Sequence, residues 1–217
     1  MNHYRLDQAW YFSAPGLAWD VALKIAKFEL ELLSDPNMLL MIENGIRGGI
    51  ATISHCNTKA NNEYMITEFD PTKDCKFISY LDANYLYGWA MSKQLPASGF
   101  EWIDDRWWTW SIGNIWICFL EVDLDYQEDL HDLHNDHPLV LKRRIKIGNI
   151  EKLIQNLNNK TNYVVHYQNL KLYESLGLKI TKIHKGIKFE ESAWLEEYIN
   201  LNTKLTIEAK QSGNNLK

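Results

Sequence analysis

Half-cystines, membrane-length apolar runs and a secretory leader are all missing from this sequence, and each absence removes a class of protein. The three cysteines, Cys56, Cys75 and Cys118, leave one over from any disulfide and have no metal-site spacing, which points to a reducing compartment. No apolar run reaches the length of a bilayer span, and the first residues, with Asn2, His3, Arg5 and Asp7, lack the apolar core of a signal peptide. Repeats and low-complexity segments are absent too, and only Gln211 to Lys217 reads as a disordered tail. At 217 residues and 46% hydrophobic, the chain has enough material to bury a core near the upper end of a single domain.

Net positive charge is also lacking. The formal charge is −5, which argues against nucleic-acid binding until its distribution is followed. From Glu101 to Asp136 there are ten acidic residues and one basic one, Arg106; from Lys142 to Lys188 there are eleven basic and two acidic, Glu151 and Glu174. The basic segment is interleaved with Tyr163, His166, Tyr167, Tyr173 and His184, so it offers phosphates charge and bases a stacking surface. The bland reading of the same lysines is a solvated protein face.

The pattern of elements is mixed. Gly16 to Leu33 reads as an amphipathic helix, with Leu17, Val21, Ile25, Phe28 and Leu32 at three- and four-residue steps. Ser34-Asp35-Pro36 starts a second helix that Gly45 ends. Asn57 to Glu63 is polar and turn-like, joining strands that lead up to Asp82, and Gln94 to Gly99 is turn-rich. Trp102 to Trp116 is dense in tryptophan and reads as core or an insertion surface; Trp116 to Tyr126 and Thr161 to His166 read as strands. Tyr167 to Leu176 is helical with Gly177 as its cap, Leu178 to Phe189 is a strand, and Ser192 caps a helix from Ala193 to about Lys210.

The chemistry concentrates in Lys76 to Lys93. Phe77, Ile78, Tyr80 and Leu81 predict a strand with Asp82 at its C-terminal end, and Asn84 is placed to cap a short helix from Tyr85 to Met91. A carboxylate at a strand end faces open space while the strand holds it, as a metal ligand requires. Upstream, Gly45-Ile46-Arg47-Gly48-Gly49-Ile50 joins two glycines, whose backbone can approach a phosphate closely, to a cation.

Asp82-Ala83-Asn84-Tyr85-Leu86-Tyr87-Gly88 resembles motif A of family B DNA polymerases, Asp-x-x-Ser-Leu-Tyr-Pro. Leu81 to Met91 is similar to the wording of the protein-primed branch carried by Polinton (Maverick) transposons and related viruses. Ser13 to Asp20, Glu121 to Asp136, Asn162 to Tyr173 and Trp194 to Thr203 resemble the same branch, so the likeness runs from about Tyr11 to Lys210. Tyr85 in the serine place and Gly88 in the proline place depart from the general motif.

The resemblance implies an α+β fold, a partial polymerase palm with an incomplete antiparallel sheet and flanking helices. Residues 1–60 would be the exonuclease/polymerase junction, 61–126 the first part of the palm and 127–217 the segment leading toward the fingers. Asp82 would be a catalytic metal ligand for two Mg²⁺ ions about 4 Å apart that stabilise the attacking and leaving oxygens of nucleotidyl transfer. Ala83, Tyr85, Leu86 and Tyr87 would bind the incoming dNTP, the Ala83 carbonyl assisting at the metal, the amides around Tyr85 and Leu86 holding phosphates and the Tyr87 ring excluding a 2′-hydroxyl. Arg47, Gly48 and Gly49 would contact the DNA template-primer, although Ile46 replaces the tyrosine of the corresponding Tyr-x-Gly-Gly element. The branch also offers a terminal protein as a candidate primer, and the compartment, nuclear or organellar, stays open. The exonuclease carboxylates would lie upstream, and motifs B and C, Lys-x-x-x-Asn-Ser-x-Tyr-Gly and Tyr-x-Asp-Thr-Asp, do not occur, so the chain alone is expected neither to proofread nor to polymerise.

Two alternatives stand beside this. Asp123-Leu124-Asp125 at a strand end is similar to the metal-binding Asp-x-Asp of nucleotide-sugar glycosyltransferases, and the chain could instead be a non-catalytic DNA-binding remnant. A zinc site from His131, His134 and His137 would place three ligands on one helix side, but no fourth is evident.

Overall fold

Helix and strand signals alternate along the chain, and the structure, a computed structural model, resolves them into a mixed α+β fold. It describes residues 4–65, 68–103, 117–146 and 150–213. Four strands lie in the order β1-β6-β2-β5, a separate ribbon joins β3 to β4, and β1–β6, β2–β5 and β3–β4 each pair antiparallel. The chain divides into two compact units, each assembled from separated stretches: Met1–Leu39, Tyr85–Cys118 and Gly186–Lys217 form the first, Leu40–Asn84 and Phe119–Lys185 the second.

In the first unit, α1 (Ala14–Ala26) begins where the Ser13 hydroxyl accepts from the Gly16 N–H and Pro15 occupies the first turn. It stops earlier than its apolar stripe suggests because Lys27 adopts the left-handed conformation at φ 48°. Its buried Ala22 clusters with Leu195 and with Ile199 of α6 (Glu196–Gln211), and Leu95, Trp194 and Tyr198 pack against that cluster. The Trp19 and Trp194 rings meet edge to face at 5.8 Å. Ser192 does not cap α6: it pairs with Leu95 as the last residue of β6 (Lys179–Ser192), and Leu195 is the N-cap without a side-chain bond. The turn-rich passage before Gly99 is also a strand, β1 (Leu95–Trp102), on the sheet edge where Pro96 is tolerated; its register shifts twice, and Gly99, at φ 70°, lies within the second shift.

In the second unit, β2 (Cys118–Asp125) follows strict period-two alternation. Leu120, Val122 and Leu124 are buried, while Glu121 and Asp123 point the other way. It pairs with β5 (Lys160–His166), and α5 (Tyr167–Ser175) follows at once, anchored by the fully buried Leu170. Gly177, at φ 101°, ends α5 as expected: its N–H reaches the Glu174 carbonyl while Leu178 N–H reaches Tyr173, a Schellman closure. The ribbon is β3 (Lys142–Lys146) against β4 (Ile150–Ile154). The predicted second helix is α2 (Pro36–Gly45), which the division cuts after Leu39, with Asp35 accepting from the Asn37 N–H. The tryptophan-dense stretch after Trp102 falls mostly outside the described residues.

The expected strand before Asp82 does not form. Residues 77–83 have no regular structure, and Phe77, Ile78, Tyr80 and Leu81 are exposed. The only pairing there is an isolated bridge between Asn61 and Lys76, so among the described residues the run has no neighbouring ladder to complete it.

Candidate functional site

Asn61 organises the approach to Asp82. Its side-chain amide donates to the carbonyls of Asp70, Lys73 and Asp74, its Oδ1 accepts from the Asp70 N–H, and its backbone exchanges two hydrogen bonds with Lys76. Residues 61–76 are thereby closed into a loop around a polar cleft of about 540 Å³ that includes Lys59, Glu68, Asp70 and Lys73. Past Lys76 the chain leaves this framework: Tyr80 is 96% and Leu81 89% exposed, and Asp82 is exposed with no hydrogen-bond or ion-pair partner among the described residues. A carboxylate in that condition keeps all its lone pairs for a cation or a donor. Ala83 is exposed beside it.

The division between the units falls after Asn84, so Tyr85, Leu86 and Tyr87 belong to the first unit. The helix that follows is α3 (Leu86–Met91), one residue shorter than expected, and Asn84 is not its cap. Tyr85 takes that place in the left-handed conformation, φ 63° and ψ 27°, without a side-chain cap bond. A β-branched or bulky residue rarely holds this geometry, so something must compensate it.

The compensation joins both departures from the motif. A Cβ built on Gly88 would lie 2.3 Å from two atoms of the Tyr85 ring, so the ring occupies the space that any side chain at position 88 would need. With the Tyr85 ring in this position, any side chain at 88, proline included, would have to displace it. The Tyr85 hydroxyl lies 2.9 Å from Thr203 Oγ1, which is also 2.8 Å from the Ile199 carbonyl. Threonine has one hydroxyl proton and the carbonyl only accepts, so Thr203 donates to Ile199 and Tyr85 donates to Thr203. The Tyr85 side chain is therefore committed to α3 and α6, leaving only its backbone for a nucleotide. Leu86 is exposed, and Tyr87 is 85% exposed with no partner among the described residues.

The three residues expected at DNA separate into two kinds. Arg47 Nη1 donates to the carbonyls of Gly45 and Val164, and the guanidinium lies 3.9 Å from the centre of the Tyr163 ring. It closes the end of α2 onto β5, and Tyr163, only 3% exposed beneath it, is core rather than the stacking platform the basic segment suggested. Burial pushes the Tyr163 hydroxyl pKa up. Gly48 and Gly49 are exposed, have no positive φ, and would present an added Cβ with nothing within 4 Å. Nothing in the fold demands glycine at either position.

Asp123 sits in a built cluster that sequence patterns do not reveal. Its Oδ1 accepts from His184 Nε2 and from the Asn162 N–H, both at 2.8 Å, while the Asn162 amide donates to Glu121 at 2.7 Å and Lys185 pairs with Glu121 at 3.2 Å. Asn162 does this from a left-handed backbone, φ 51°, opposite the register shift between Val122 and Leu124. The Asn162 N–H first, then His184, hold the Asp123 carboxyl below the usual aspartate range. The signal that could find this cluster is spatial, since Asp123 and His184 are distant in sequence.

The histidine run does not gather. His134 is buried with Nδ1 2.8 Å from the Tyr126 hydroxyl, and His131 Nε2 lies 3.3 Å from the Tyr126 carbonyl. Among the described residues no three histidine, cysteine or acidic side chains are grouped to hold a metal. Lys160, 2% exposed, is likewise internal: its ammonium donates to the Asn156 carbonyl and side chain and to the Asn158 carbonyl, and burial lowers its pKa to about 8.

Comparisons with protein-family models, with curated proteins and with solved structures find no match.

Proposed function

We propose that this chain is part of a protein-primed family B DNA polymerase, in which Asp82 helps hold the Mg²⁺ ions for nucleotidyl transfer. The observation that carries the proposal is the run Leu81 to Met91, with its aspartate, Leu86-Tyr87 pair and following Gly-Trp-Ala-Met. Three features of the fold support it. Asp82 is exposed and unpartnered among the described residues, as a ligand awaiting a cation must be. Tyr87 presents a free ring, suited to lie under a deoxyribose. Gly48 and Gly49 are glycines that packing does not explain, suited to close approach of a phosphate backbone.

Asp82 supplies one carboxylate, and two ions need at least a second fixed ligand set. The chain therefore contributes the nucleotide-facing half of a site whose remaining carboxylates and phosphate-holding lysine come from motifs B and C. When bound, Mg²⁺ would neutralise charge on the transferring phosphoryl group. The side chains here bind and orient: Asp82 as ligand, Tyr87 as sugar platform, Tyr85 and Gly88 as the support that sets α3.

The test is primer extension by a protein that continues this chain through motifs B and C. Asp82→Asn should lower the rate by at least about 10³-fold, the scale of losing a principal electrostatic group at a reaction centre, with DNA binding retained. Extension at the native rate by that variant would refute the assignment. The glycosyltransferase alternative is weakened because Asp123 already accepts from His184 and Asn162.

A further inference from the structure

α3 has little of its own to hold it in place. Of its residues only Gly88 is buried, while Leu86, Tyr87, Trp89, Ala90 and Met91 are exposed. Beyond its C-terminal end the chain is soon fixed, where Leu95 pairs with Ser192 and packs against the Ala22, Leu195 and Ile199 cluster. At its N-terminal end the hold is the Tyr85 side chain, whose ring covers Gly88 and whose hydroxyl donates to Thr203 Oγ1 at 2.9 Å. Thr203 is itself fixed, because its own proton goes to the Ile199 carbonyl one turn back in α6, at 2.8 Å. That back-bond selects the Thr203 rotamer, so Oγ1 is a preset acceptor.

We infer that Thr203 is a positioning residue: without touching a nucleotide, it sets the placement of α3 through the Tyr85 phenol, and with it the placement of the Tyr87 ring. Tyr87 lies in the first turn of α3 and has no partner of its own among the described residues, so its ring goes where α3 goes. Serine, which the general motif has at this place, ends just past its Cβ and could not carry the link to α6, so the dependence on Thr203 belongs to the tyrosine. The consequence for selectivity, a ring held where a 2′-hydroxyl would clash, rests on the polymerase reading above. The strut itself does not.

The test is hydrogen exchange read by mass spectrometry on the full chain, comparing peptides of α3 with peptides of α6. Thr203→Val keeps the branched shape and loses the hydroxyl. In that variant the α3 segment, whose Trp89 and Ser92 amides bond to the Tyr85 and Gly88 carbonyls, should exchange about 2- to 5-fold faster relative to α6, the scale of losing one partly exposed hydrogen bond. Tyr85→Phe should do the same, the double variant should add nothing further, and Thr203→Ser should keep native rates. A Thr203 that only shapes its own helix would change α6 and leave α3 alone. In a protein that continues through motifs B and C, Thr203→Val should lower the preference for a dNTP over the matching rNTP by about the same 2- to 5-fold, with Thr203→Ser native, because the correctly placed α3 loses no more population than the bond supplies. Native α3 exchange in folded Thr203→Val, or additive effects of the two single variants, overturns the inference. So does faster α3 exchange with an unchanged dNTP-to-rNTP ratio. If Asp82→Asn extends primers at the native rate, the polymerase reading fails and the role in selectivity with it, while the exchange result still decides the strut.

Discussion

At the scale of single residues, the clearest relationship is the mutual dependence of Tyr85 and Gly88. Adding one methyl group at 88 drives a Cβ into the Tyr85 ring at 2.3 Å. Gly88→Ala should destabilise the chain by about 1–3 kcal/mol, the usual cost of overpacking, and Tyr85→Ala in the same chain should remove most of that penalty. A double-mutant cycle read by urea denaturation checks this; strictly additive effects would contradict the packing. Gly177→Ala should be as costly for a different reason, since φ is 101° and the new Cβ would meet Leu130 at 2.8 Å. Gly48→Ala and Gly49→Ala should leave the thermal midpoint unchanged, since an added Cβ meets nothing within 4 Å, and, if the proposed close approach of a phosphate backbone holds, should weaken DNA binding.

Two buried or paired charges give the residue scale a pH dependence. Lys160 has a folded pKa lowered to about 8, against about 10.4 in an unfolded chain. Between those values the unfolded chain holds more protons, so this group makes unfolding harder as pH rises from about 8 to about 10.4, and is neutral in slope below about 8. Lys160→Met should remove that part of the rise, measured as urea midpoints of both proteins across the interval. Asp123 has the same sign in an acidic window: its folded pKa is depressed by the Asn162 N–H and His184, so its contribution is present at neutral pH and is lost as pH falls below about 3.9 toward the depressed value.

At the scale of elements, local signals were sufficient where the deciding interactions are local. Asp35-Pro36 and Gly45 bound α2, Gly177 closes α5, and the alternation of Leu120, Val122 and Leu124 marks β2. Signals failed where a distant partner decides. Ser192 has the chemistry of a cap, but pairing with Leu95 keeps it in a strand; Phe77 to Leu81 has strand composition, but no described strand lies beside it. Lys27 interrupts a continuing apolar stripe through its backbone conformation, which composition does not encode. The same logic covers the candidate site. Asp82 and Tyr87 are proposed from a pattern that their sequence neighbours carry, whereas Arg47 braces Tyr163 and Val164, contacts that only the folded chain brings together.

At the scale of the whole molecule, charge segregation acquires a structural form. The net charge of −5 conceals a ribbon in which five of ten paired residues are basic and one is acidic. Acidic residues from the preceding segment are instead drawn into specific pairs, Glu121 with Lys185 and Asp123 with His184. Asp82 stays outside every such pair among the described residues, consistent with a carboxylate reserved for a cation.

The most direct measurement of the central claim is the coding sequence downstream of Lys217. The proposed family B polymerase requires an open frame that continues into Asn-Ser-x-Tyr-Gly and then Tyr-x-Asp-Thr-Asp, completing the site proposed around Asp82. A frame that continues into unrelated sequence, or stops without either motif, would contradict the assignment of Asp82 to a working polymerase site.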